Sequence, residues 1–390
     1  EDRAFVDALY AEHGIGAEDF VACFQLGASE ENKRWSESQF AGLARKLAQE
    51  KKARIFLVGI TEEAPLGERL EQLAPGLAIP LYGKTSIPQV AALLERANVL
   101  VTNDTGTMHI AAAVGCKIAL VSVGHVHYRE TGPYGEGHCA IEYRRKELGR
   151  SDFVPGAAEE RERLTPDQVA VAVECCLTSI SFPRSPVGTH PSPLQLTESP
   201  TLAEVDIYQT RFAPDGCLQF YPVIRRPLTP RDFVRMAYRT MWLDYLNPDY
   251  DQRAERESLD LMIAHYETTL PETIQDWREE LETAFDQLAA IAQRGVKSTE
   301  RLLKILSKKD FAQAKAAVAE LMALDEEARI FGEIHPPGRP LTLLARFERE
   351  TLEGADPMRL AETTLDIYRA CFQRARSMQK KVALVAERAL

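Results

Sequence analysis

Two hydrophobic periodicities divide this chain. Up to residue 182, short continuous apolar runs alternate with stretches whose apolar residues recur at every third or fourth place. The runs Val21–Leu26, Ala53–Gly59, Ala78–Tyr82, Val99–Asn103 and Ile118–Val123 predict strands buried on both faces. The helical spacing predicts helices over Ser36–Gln49, Glu63–Leu73, Ile87–Arg96 and Thr107–Val114. Ser86 with Gln89, and Thr165 with Gln168, read as capping boxes; Pro166 takes the first helical position of the second. Strand–helix alternation of this kind predicts an α/β domain over 1–182, a parallel sheet covered on both faces.

Residues 183–228 change character. Pro183, Pro186, Pro191, Pro193 and Pro200 mark a linker, followed by a β-hairpin of Val205–Phe212 and Cys217–Ile224. From 229 to 390 the pattern is helical almost throughout, which predicts an antiparallel bundle or long helical hairpin. Ile263, Tyr266, Leu270, Ile274, Trp277, Leu281, Phe285, Leu288 and Ile291 form an apolar stripe that Pro271 interrupts by starting a new helix. Asp310 with Gln313 caps a further helix, and Asp356-Pro357 opens the last. The stripe either fills the bundle's own core or serves self-association or a protein partner.

The chemistry gathers where strands end. Ligands of open parallel sheets sit beyond the carboxyl ends of the strands. Gly27-Ala28-Ser29, Gly59, Gly83-Lys84-Thr85 and Asn103-Asp104-Thr105-Gly106 all fall at such ends. The last of these runs directly into a small-residue helix. A helix N-terminus leaves backbone N–H groups unpaired and carries partial positive charge, so a phosphate or diphosphate suits it. Gly106 permits close approach to the backbone, and Thr105 and Thr107 can cap or donate hydroxyls. An ordinary N-cap has the same local sequence, so the surroundings must decide between the two readings.

Bulk properties narrow the partners. The chain has 390 residues, a net charge of −11 and no apolar run long enough to cross a bilayer. Acidity of this size argues against a nucleic-acid partner bound through a broad basic surface. The seven cysteines show no metal-ligand spacing, consistent with a reduced cytoplasmic protein. His125-x-His127 with His138 lacks a companion carboxylate or thiolate frame, so no metal and no resident cofactor are expected.

Three segments over 1–182 resemble the family 9 glycosyltransferases, the lipopolysaccharide heptosyltransferases. They are Gln25-Leu26-Gly27-Ala28-Ser29 with Lys33-Arg34-Trp35; Leu57-Val58-Gly59 with Glu63; and Asp104-Thr105-Gly106-Thr107-Met108-His109 followed by Gly132-Pro133-Tyr134-Gly135. The resemblance implies that 1–182 is a Rossmann-like, nucleotide-sugar-binding domain, the C-terminal half of a GT-B fold. It implies inverting transfer of a sugar from a nucleoside diphosphate sugar, ADP-heptose above all, to a lipopolysaccharide-type glycolipid. Lys33 and the Ser29 hydroxyl would meet the diphosphate, and the N–H groups of Thr105 and Gly106 would hold it, with Asp104 ordering the loop or touching the sugar. Glu63 would accept from ribose hydroxyls or instead cap its own helix. Thr85 and its loop would border the base. His109 would lie near the phosphates or bond within its loop. Trp35 reads as a packing residue. A cytoplasmic location is implied, the inner face of the inner membrane included.

The sequence departs from the family pattern at Leu26 and Ser36, which stand where the family has proline. The family's acceptor pocket and general base lie in its N-terminal half, and residues 1–20 read as the connection out of that half. No catalytic base is therefore expected in this chain, which alone should be inactive. The other reading is a vestigial domain acting as a scaffold through the helical region. An epimerase of GT-B type would need carboxylates from both halves.

Overall fold

The computed structural model describes residues 1–124, 127–144, 160–178, 202–247, 249 and 251–390. The prolines of the expected linker, Pro183 to Pro200, and His125 lie outside the described residues. Two compact units emerge: Glu1–Arg226 with Ala264–Tyr266, and Pro227–Ile263 with Glu267–Leu390.

The first unit is a doubly wound sheet. Its strands are β1 (Val21–Gln25), β2 (Arg54–Leu57), β3 (Ala78–Pro80), β4 (Val99–Thr102), β5 (Lys117–Ser122), β6 (Cys139–Tyr143), β7 (Val205–Phe212) and β8 (Leu218–Pro222). They lie in the order β3-β2-β1-β4-β5-β6-β7-β8. The first six are parallel, and β7 and β8 run antiparallel. The helices are α1 (Asp2–Glu12), α2 (Glu37–Lys51), α3 (Ala64–Leu73), α4 (Ile87–Arg96), α5 (Gly106–Ala113), α6 (Tyr128–Thr131), α7 (Glu160–Arg163) and α8 (Pro166–Leu177).

Continuous apolar strands need cover on both faces, and there are two cores. One joins Phe24, Ile55, Val101 and Val121 to Phe40, Leu47 and Val173 of α2 and α8. The other joins Cys23, Phe56, Leu100 and Ile118 to Val6, Leu93 and Met108 of α1, α4 and α5. Strand order reverses between β1 and β4, so the chain leaves that pair in opposite directions and opens a crevice at their carboxyl ends.

Within residues 1–20, α1 docks on α4 through Arg3–Glu95 at 2.8 Å and Arg96–Asp7 at 2.5 Å. Two expectations are corrected here. The run Cys139–Tyr143 forms a sixth parallel strand that its neighbouring glycines obscured. The hairpin does not stand apart from the α/β domain with the linker. Ile207 registers with Ile141, so β7 and β8 extend the same sheet.

The second unit is helical: α9 (Pro230–Leu246), α10 (Gln252–Ile263), α11 (Pro271–Ser307), α12 (Phe311–Ile334), α13 (Arg339–Glu350) and α14 (Pro357–Ala389). Thr229, Asp310 and Asp356 cap α9, α12 and α14, and α11 starts at Pro271. The long α11 lies along α14. Ile274, Leu281, Phe285, Leu288 and Ile291 are all buried. Those five residues belong to the bundle's own core, whereas Leu270 of the same stripe is exposed. None of the described helices is long and apolar enough to cross a membrane.

His138, expected to have no metal frame, is buried beside β7. Its backbone N–H donates to Thr210 Oγ1 at 2.9 Å, and burial, with the nearby Lys117 ammonium, lowers the pKa of its ring from 6.5 to about 4. The folded state thus holds this imidazole neutral, while the unfolded chain protonates it below pH 6.5. Its contribution is complete above pH 6.5 and is lost as pH falls towards 4. We expect His138→Gln to flatten the stability–pH slope across that window by up to roughly 3 kcal/mol. Urea midpoints measured at several pH values check this; an unchanged slope would refute it.

Candidate functional site

The crevice at the β1/β4 switch point is built by side chains that tie neighbouring loops together. Asn103, the residue after β4, is fully buried. Its amide nitrogen donates to the carbonyls of Leu26 and Gly27 at 2.9 and 3.2 Å, and its oxygen accepts from Trp35 N–H at 2.9 Å. One side chain therefore locks the loop after β1 to the loop after β4. Trp35 itself is a packing residue, its indole N–H donating to Leu164 carbonyl at 2.8 Å against Phe40.

Gln25 ends β1 and joins two further loops. Its amide donates to Glu63 Oε2 at 2.8 Å and accepts from the Thr107 hydroxyl at 3.3 Å. Glu63 Oε2 also accepts from Ile60 N–H at 3.2 Å. Glu63 Oε2 thus caps the short turn Thr61–Glu63 and makes no capping bond at the start of its own helix α3, while Oε1 has no hydrogen bond among the described residues. Glycines make room for this carboxylate. A Cβ on Gly27 would stand 1.6 Å from Glu63 Oε1, and one on Gly59 would stand 2.2 Å from Oε2. Tyr82 closes the back of the loop, its ring 2.9 Å from that same Gly59 position. Its hydroxyl is buried and has no hydrogen-bond partner among the described residues, and burial followed by the Glu63 charge raises its pKa.

The Asp104-Thr105-Gly106 turn meets the Gly132-Pro133-Tyr134-Gly135 loop, because Thr131 Oγ1 donates to Asp104 Oδ2 at 3.0 Å. Asp104 thus links the two loops through one carboxylate oxygen. Thr105 is the N-cap residue of α5, but its side chain makes no capping bond; its hydroxyl turns to that of Thr102 at 3.1 Å. Among the described residues no side chain therefore caps the start of α5. Gly106 is exposed, and a Cβ there would meet nothing within 4 Å. The fold does not need glycine at that position, so its value lies in what can approach.

The cationic residues lie on the same loops. Lys33 pairs with Glu30 at 2.9 Å and is mostly covered. Such a pair across one helical turn is weak. Gly124, at φ +69°, lets the loop after β5 close on this segment, since a Cβ would stand 2.4 Å from the Asn32 carbonyl. His109 is exposed on the first turn of α5, with no hydrogen bond among the described residues. Ser29 is exposed and Thr85 half-buried at the same sheet edge. Beside Thr85, Lys84 folds back onto the Pro80 carbonyl at 3.1 Å.

Gln25 and Asn103 were not singled out as site residues from sequence. Each is a polar residue closing an apolar strand, and that position was the available signal. The cavity of about 710 Å³ walled by Asp244, Glu255, Arg256 and Lys381 belongs to the helical unit and involves none of these loops.

Comparison with known proteins shows what this stretch is similar to: the family model for glycosyltransferase family 9 (heptosyltransferase) matches residues 5–149. Lipooligosaccharide heptosyltransferase 2 of Haemophilus influenzae is 37% identical over 86 residues, 21% of this chain and 25% of that protein. The chain thus spans well under two thirds of that relative. Among solved structures, an E. coli ADP-heptose lipopolysaccharide heptosyltransferase II is 23% identical, covering 45% of this chain and 51% of its own, with TM-score 0.38. A family 9 glycosyltransferase from Veillonella parvula is 21% identical, with the same coverage and TM-score 0.40. An E. coli heptosyltransferase solved with ADP-2-deoxy-2-fluoro heptose is 24% identical, covering 40% of this chain and 43% of its own, with TM-score 0.32.

Proposed function

We propose that residues 1–182 form the donor-binding part of a glycosyltransferase, taking a nucleoside diphosphate sugar, ADP-heptose in the first instance, for inverting transfer to a lipopolysaccharide-type acceptor. The observation that carries this is that Gln25 joins Glu63 to Thr107 at the β1/β4 switch point while Thr131 holds the neighbouring Asp104, inside the stretch that the family 9 model matches. The N–H groups of Thr105 and Gly106 hold the diphosphate at the uncapped start of α5. Lys33 exchanges Glu30 for phosphate oxygens, and Ser29 adds a hydroxyl. Glu63 Oε1 accepts from the ribose, Thr85 borders the base, and His109 lies beside the phosphates.

The chemistry this arrangement performs is leaving-group stabilisation. As the glycosidic bond breaks, negative charge grows on the diphosphate, and fixed N–H dipoles meet it without reorganising. The proposal calls on no metal, and it assigns the general base to none of these residues. The setting that follows is cytoplasmic, beside the membrane leaflet that holds the glycolipid.

Thermal unfolding of the whole chain with ADP, UDP and GDP tests the reading. ADP is expected to raise the transition temperature by several degrees near 100 times its dissociation constant, about 2.7 kcal/mol of linkage, with smaller shifts from UDP and GDP. A chain indifferent to all three nucleotides would be a scaffold instead.

A further inference from the structure

Three helices of the second unit meet at one ammonium. Lys381 of α14 has a side chain only 10% exposed, and its Nζ stands 2.6 Å from Glu255 Oε1 of α10 and 2.6 Å from Asp244 Oδ2 of α9. Glu255 is buried too. An ammonium carries three protons, and the two carboxylates take two of them. Among the described residues nothing accepts the third. A buried donor is costly to leave unmet. Lys381 also forms part of the wall of the cavity of about 710 Å³, so what fills that cavity must supply the acceptor.

The rest of the wall says what the occupant is. Arg376 is engaged with Asp286 at 2.7 Å. Arg256 of α10 and Lys380 of α14 also line the cavity and have no ion pair or hydrogen bond among the described residues. Both wall carboxylates are held by Lys381, and burial raises the pKa of Glu255, so an anion meets little repulsion from them. The uncommitted charge is therefore positive, in a chain whose net charge is −11. Donors from Lys381, Lys380 and Arg256 match a group with three acceptor oxygens and up to two negative charges. A carboxylate, with one charge, leaves a cation unmatched, whereas a phosphoryl group satisfies all three. The cavity has the volume of a small-molecule site and exceeds what phosphate alone would fill. Gln373 and Ser377, one turn apart on α14, and Gln252 on α10 offer amides and a hydroxyl to neutral hydroxyl groups. We propose that this cavity binds a small hydroxylated organic phosphate, its phosphoryl oxygens held by Lys381, Lys380 and Arg256. Its wall lies entirely within the helical unit, so the proposal does not depend on the donor-site reading.

Calorimetric titration of the full 390-residue chain with glucose 6-phosphate tests this, with inorganic phosphate and unphosphorylated glucose alongside. Saturable binding of the ester is expected, with inorganic phosphate weaker and glucose inert. Arg256→Glu and Lys380→Glu should each raise the dissociation constant of the ester about tenfold or more. Both side chains are exposed, so these variants keep the native fold, which circular dichroism verifies. Gly27→Ala, in the other unit, should leave the affinity for the ester unchanged. The inference is overturned if neither phosphate binds saturably, or if both charge reversals leave the affinity where it was. It is also overturned if Gly27→Ala alone weakens binding, since the phosphate would then sit in the donor site. Binding to phosphatidic acid vesicles without binding to the soluble ester would overturn it as well, because the pocket would then take a lipid headgroup.

Discussion

Asn103→Leu is expected to destabilise the first unit by about 2–4 kcal/mol, the largest loss of stability we anticipate from any substitution near the site. The volume change is small, so the effect is not one of packing. The lost amide leaves the Trp35 N–H and the Leu26 and Gly27 carbonyls without the partner each has in the native state. Asn103 is fully buried, so water cannot readily replace it. The loss should appear as a lower urea midpoint. A shift worth less than about 0.5 kcal/mol would mean that the loops are held by something other than this amide.

Gly27→Ala is expected to abolish nucleotide stabilisation while costing the fold less. The new methyl would stand 1.6 Å from Glu63 Oε1 and 2.2 Å from its carboxyl carbon. Backbone geometry at Gly27 does not demand glycine, since its φ is not positive. The clash is with a side chain, so the side chain yields. Glu63 must swing out, breaking its bonds to Gln25 and Ile60 and removing the carboxylate we assign to the ribose. The dissociation constant for ADP should rise at least about tenfold, the equivalent of about 1.4 kcal/mol. Calorimetric titration of the variant checks this. Wild-type affinity in a folded Gly27→Ala protein would remove Glu63 from the donor site.

Much of the α/β architecture was legible because strand and helix periods differ so plainly there. Val205–Phe212 is a strand over the range its alternation suggested, and Ser86 and Thr165 cap their helices through Gln89 and Gln168. The loops around Asp104 were legible too, since apolar strands running into Gly-rich turns mark a sheet's carboxyl edge. What sequence left hidden was connection between distant positions. Nothing local to Gln25 says that its amide spans Glu63 and Thr107, and nothing local to Thr131 says that it reaches Asp104. In the helical region the sequence left two readings open, a core seam or a contact surface. The Ile274–Ile291 stripe drew attention because it is strongly periodic, yet strong periodicity is what an interior seam looks like.

The amide of Gln25 fixes a polarity with a further consequence. Glu63 can only accept, so the nitrogen end of that amide must point to it and the oxygen end to Thr107. Thr107 therefore has its sole proton committed sideways, and toward an arriving anion its hydroxyl shows nothing but lone pairs. Under the proposed function, electrostatic reception at this corner falls to the peptide groups of the opening turn, whose direction no side-chain rotation can alter.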